Sequence, residues 1–85
     1  MAPSLQAQAG RLDEAMAIFR YVLQFHPKSA VALYSLATIH YTRGEHAQAI
    51  EELMKVIEID PGSVDARYSL AIVHIKMREY EQAEL

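Results

Sequence analysis

At 85 residues the chain is long enough for one small domain, whose core would leave much of its surface in water. Its net charge is −3, with 8 Lys and Arg scattered among 11 Asp and Glu; this argues against nucleic acid as a partner, because binding a phosphate backbone needs clustered cations. Cysteine is absent, so neither a disulfide framework nor a thiolate metal site is available.

The first stretch, MAPSLQAQAG, has no basic segment followed by an apolar run, so no signal peptide is expected. Nothing further along reaches the length of a membrane-crossing helix, and no membrane insertion is expected. The compartment is left open, with the cytoplasm as default. From Gly10 the chain begins to repeat itself: GRLDEAMAIFRYVLQFHPKS is answered by GEHAQAIEELMKVIEIDPGS. Gly10 and Gly44, Ala15 and Ala49, Pro27 and Pro61, and Ser29 and Ser63 are all separated by 34 residues. Such units stack on one another without a single central core.

The spacing predicts three units within one domain, at residues 1–29, 30–63 and 64–85, with only the middle one whole; the chain then reads as a piece of a longer array. In the first unit SLQAQA is the tail of one helix. A turn at Gly10 leads to a second, with Leu12, Ala15, Met16, Phe19, Val22 and Leu23 as its apolar face. In the middle unit Ser29 is a candidate N-cap, and Leu33, Leu36, Ala37 and His40 follow at helical spacing. Arg43 and Gly44 close that helix, Gly44 by access to the left-handed region. The next helix starts near Glu45 and is amphipathic, with His46, Ala49, Ile50, Leu53, Val56 and Ile57 on one side and Glu51, Glu52, Lys55 and Glu58 on the other. The third unit repeats the plan: Ser63 as cap, Leu70, Ala71 and His74 inward, then Tyr80 and Ala83 opening a second helix. Arg78 stands where the other units have glycine, and the alternative is a continuous helix from Val64 to Leu85, which would expose a face for exchange with another chain. No strand pattern occurs, so the fold class is all-α.

A helix-turn-helix unit with this period resembles the tetratricopeptide repeat, whose pattern is W-x2-L-G-x2-Y, then A-x3-F, then P. Leu33, Leu36, Ala37, His40, Ala49, Leu53 and Pro61 occupy those places in the middle unit, Arg67, Leu70, Ala71, His74 and Ala83 in the third, and Ala15, Phe19 and Pro27 in the first. The resemblance implies stacked antiparallel helix-turn-helix repeats forming a short right-handed α-solenoid, whose first helices line a concave groove for an extended peptide or a helix. It also implies that His40 and His74 stand in for a hydrogen-bonding Tyr. A metal reading is weaker, since a closed zinc site needs four ligands. Members that hold a C-terminal carboxylate do so with Lys, Asn and Arg; at the matching places this chain has Tyr34, Thr38, Ser69 and Ile72, so that clamp is absent from these units.

A helix advances about 100° per residue, so the face opposite the inward residues of the first helices carries Val31, Tyr34, Ser35, Thr38 and Tyr41, then Tyr68, Ser69, Ile72 and Lys76. These are the candidate groove residues. The tyrosines offer contact area with a polar tip, which favours protein recognition over the alternative that they merely cover helix packing. The acidic residues, Glu51 and Glu52 among them, are expected on a solvated outer face, and Met16, Met54 and Met77 in or near the core. No phosphate loop, dinucleotide fingerprint, HExxH or nucleophile elbow occurs, so no catalytic residue, cofactor or metal is expected. The expected function is a non-enzymatic module that binds a protein or peptide. The alternatives are a structural spacer, a self-association element acting as a homo-oligomer through its open helical ends, or a regulatory segment of a larger enzyme.

Overall fold

The computed structural model describes residues 5–83, with the surroundings of side chains 10–82. Four α-helices follow one another: α1 (Leu5–Phe25), α2 (Ala30–Thr42), α3 (His46–Ile59) and α4 (Val64–Ala83). No strand occurs among the described residues. Each helix packs on the next, α1 on α2, α2 on α3 and α3 on α4, giving a slab of 44 × 39 × 20 Å.

The breaks at Pro27 and Pro61 are built alike. After α1 the His26 N–H donates to the Val22 carbonyl and the Ser29 N–H to the His26 carbonyl; after α3, Asp60 bonds Val56 and Ser63 bonds Asp60 at the same distances, 2.8 and 3.0 Å. Each serine then caps the following helix. The Ser29 hydroxyl accepts from the Ala32 N–H at 3.3 Å and the Ser63 hydroxyl from the Ala66 N–H at 3.2 Å, satisfying donors that a helix start leaves unpaired. Between α2 and α3 the turn needs glycine. Gly44 has φ +81°, its N–H donates to the Tyr41 carbonyl, and the Glu45 N–H reaches back to that of His40, the paired bonds of a Schellman end.

Two apolar clusters hold the slab. Leu33 and Ala37 of α2 meet Ala49, Leu53 and Val56 of α3, and Ala66 and Val73 of α4 close the same cluster. On the other side of α2, Leu36 and Ile39 pack with Met16 of α1, flanked by Leu12 and Phe19. α2 is therefore covered on both sides, which is why it reads as apolar nearly all round. Ala49 is wholly buried. Ala49→Leu should overpack this contact and lower stability by about 1–3 kcal/mol, read as a drop in Tm; an unchanged Tm would contradict the close approach of α2 and α3.

Two of the predicted turns are absent. α1 runs straight through Gly10, and α4 runs straight through Arg78, so Tyr80 continues α4 and does not open a second helix. Residues 1–4 and 84–85, including Leu85, lie outside the described residues. A turn gives up main-chain hydrogen bonds and must be compensated by apolar surface buried between the two arms. α2 and α3 supply such surface around Gly44, whereas LQAQA before Gly10 and EYEQA after Arg78 each offer a single large apolar side chain. Arg78 also lacks the left-handed conformation that Gly44 uses. The straight course of α4 stacks the Tyr80 ring on His46, centroids 5.5 Å apart and planes 24° from parallel.

Of the three residues predicted to face inward there, Leu70 is half-buried against the main cluster, but without a helix folded back onto α4 the other two are uncovered. His74 and Ala71 are exposed, while their counterparts His40 and Ala37 are buried. Met54 is also out of the core, at 58% exposure, whereas Met16 is in it.

Candidate protein-binding groove

The stacking sets α2 and α4 side by side over α3, and a cleft of about 150 Å³ opens between them. Tyr34, Thr38 and Tyr41 form its α2 wall, and Ser69 and Ile72 its α4 wall. Ala37, Leu53 and Val73 make the floor. These three are core residues first, so nothing in their helical spacing distinguished them as cleft-lining. Counted one period back, Ser69 and Ile72 correspond to Ser35 and Thr38, so the walls are facing flanks of successive first helices and share only the Thr38/Ile72 position.

Across the cleft the Tyr34 hydroxyl and the Ser69 Oγ are hydrogen-bonded at 3.0 Å. The hydroxyls of Thr38 and Thr42 donate to the carbonyls one turn back, of Tyr34 and Thr38, at 3.0 and 2.9 Å. Each keeps lone-pair capacity for an incoming N–H donor. The cleft is thus mainly apolar with a few oriented hydroxyls, an arrangement that recognises by contact and hydrogen bonding.

The remaining candidates lie around it. Val31 and Ser35 line an adjoining depression with Tyr34, Ser63 and Asp65. Tyr68 lines neither and is 68% exposed on the outer side of α4. Lys76 lies one turn beyond Ile72. Its ammonium is 3.4 Å from the Glu79 carboxylate, and that hydrogen bond holds its pKa above the ordinary range.

A polar pair also lies within the α2–α3 contact. His40, at 4% exposure, places its Nδ1 2.5 Å from Oε1 of Glu52, and its Nε2 is 3.7 Å from Glu45. The helical spacing predicts Glu52 on the solvated face of α3. It turns inward because a buried imidazole needs a partner, and burial pushes its carboxyl above the usual carboxylate value, partly opposed by His40, Lys55 and Arg20. Arg43, at the end of α2, pairs with Asp13 and so ties α1 to the α2–α3 turn. Among the described residues no group of three or more His, Asp or Glu is arranged to hold a metal ion. No described helix is long and apolar enough to cross a membrane.

Helical hairpins in register, hinged at equivalent prolines, with a small-residue crossing and a cleft between successive first helices, define a helical-repeat protein of the tetratricopeptide kind. Repeats of this kind are protein–protein interaction modules and are typically non-enzymatic. The family model described as anaphase-promoting complex, cyclosome, subunit 3 matches residues 8–85, and the chain belongs to that family. A comparison with curated proteins returns no match.

Proposed function

We propose that the cleft between α2 and α4 is where a segment of a partner protein binds, with residues 30–63 as the complete repeat of one domain and partial repeats on either side. The carrying observation is the cleft itself: an apolar floor of Ala37, Leu53 and Val73 under walls that present Tyr34, Tyr41 and Ile72 to solvent. A peptide side chain seated there would exchange water for apolar contact, while its backbone would meet the hydroxyls of Thr38, Tyr34 and Ser69. Val31, Ser35, Tyr68 and Lys76 would extend the surface along the two helices. The family is described as a subunit of a complex, which supports a protein as the natural occupant. The chemistry on view is recognition, and the reading is non-enzymatic.

Peptides selected from a random displayed library on the immobilised chain test this directly. Tyr34→Ala and Ile72→Lys are each expected to weaken the selected peptides by about tenfold or more, as loss of a buried anchor does. Helical circular dichroism should be retained. Peptides that bind both variants as tightly as the wild type would place the site elsewhere.

A further inference from the structure

The cleft between α2 and α4 has room for one side chain. A protein cavity of its size, about 150 Å³, accepts a molecule such as benzene, which corresponds to a single Leu, Met or Phe side chain. Every residue lining the cleft is uncharged. Lys76, one turn beyond Ile72, already donates to Glu79. A charged side chain or a terminal carboxylate seated on the floor would therefore lose its water and meet no counter-charge.

The walls decide the form of the main chain that brings this side chain. Thr38 gives its hydroxyl proton to the Tyr34 carbonyl at 3.0 Å, so it meets an occupant as an acceptor. The Tyr34 and Ser69 hydroxyls, 3.0 Å apart, use one of their two protons between themselves and keep lone pairs as well. A helix pairs its own N–H groups internally and would cover these oxygens without matching them, and a polar group buried unmatched loses more than its hydrogen bond returns. An extended segment has the complement. Its N–H groups lie along both edges and its side chains alternate, so one side chain can reach the floor while its neighbours point away. The Tyr34–Ser69 bond also ties α2 to α4 before anything binds, which lowers the ordering cost of binding.

We infer that the cleft takes the interior of an extended segment, with one uncharged apolar side chain on the floor and main-chain N–H groups donating to Thr38 and to the Tyr34–Ser69 pair. This rests on the cleft being the protein-binding site, and it adds the conformation and the chemistry of what enters. A helix laid along the groove and a chain end held by its carboxylate are both disfavoured, the first by the unmatched hydroxyls and the second by the uncharged lining.

Two displayed libraries test the inference, one of linear peptides and one of peptides carried on the exposed face of a stable helix. Both are selected on the immobilised chain, and only clones that lose binding to Ile72→Lys are kept. The linear library is expected to yield them. In the strongest, exchange of one apolar residue for Asp or Lys should abolish binding, and amidation of the C-terminus should leave affinity unchanged. Methylation of one main-chain nitrogen is expected to weaken binding to the wild type by about tenfold. That loss should shrink against Thr38→Val or Ser69→Ala, according to which hydroxyl accepts. Thr38 is exposed and Ser69 half-buried outside the core clusters, so both variants should keep the fold. Clones that depend on Ile72 but come as readily from the helix library would overturn the inference and leave the cleft as the binding site. A requirement for a free carboxylate would do the same, as would methylation losses equal against all three chains. If neither library yields a clone that depends on Ile72, the cleft is not the binding site and the inference falls with it.

Discussion

Leu53→Ala is expected to lower the stability of the chain by about 2–5 kcal/mol. Leu53 is 2% exposed, at the meeting point of α2, α3 and α4, and it touches the floor of the cleft. Its removal forfeits the transfer free energy of the side chain and leaves a void that three helices cannot easily close. A domain of this length has total stability on the order of 0.05–0.15 kcal/mol per residue, so the loss is a large share of the whole. Urea unfolding reads it as a fall in the midpoint with little change in slope. The neighbouring Met54→Ala provides the contrast. Met54 is 58% exposed, and its truncation should cost within about 0.5 kcal/mol. Equal effects at the two positions would mean that the inner and outer faces of α3 have been assigned wrongly.

Replacing Glu52 should produce the second largest change, and one that depends on pH. Glu52→Ala leaves the Nδ1 of a buried His40 without its partner and is expected to cost about 1–3 kcal/mol. Glu52→Gln keeps a hydrogen-bonding group there and isolates the titration. Burial raises the folded carboxyl above the ordinary value of 4.5, so over the interval just above that value the folded chain binds more protons than the unfolded one. Stability from this group therefore falls as pH rises through the interval, is flat once pH passes the folded pKa, and returns on acidification. Subtracting the Glu52→Gln profile from that of the wild type cancels the other carboxylates to first order. The difference should slope downward with rising pH. An upward slope would show that the charge of His40, and not burial, governs the pair.

The two polar findings in the α2–α3 contact illustrate what periodicity reveals and where it stops. The spacing of Leu33, Leu36, Ala37 and His40 placed one face of α2 inward, and all four are buried. The same reasoning put Glu52 with the acidic outer residues, because a wheel sorts residues by type and angle and is blind to a polar partner across the interface. His74 shows the converse. Its sequence surroundings match those of His40, yet it is exposed, since burial is conferred by the helix laid over it and α4 has none there. In the cleft, Tyr34, Thr38, Tyr41, Ser69 and Ile72 could be grouped in advance because they share the outer stripe of successive first helices. Tyr68 could not be separated from them, because the curvature and separation of the helices decide which members of a stripe converge.

The amino-acid sequence by itself determined the helical class, the period, the serine caps and the hinges at Pro27 and Pro61, all of which rest on local chemistry: dihedral restriction, caps and the 3.6-residue period. Tertiary structure decided whether a potential turn was used. Gly44 bends and Gly10 does not, although both can, because a bend persists only where two arms bury enough apolar surface against each other to replace the helical hydrogen bonds it breaks.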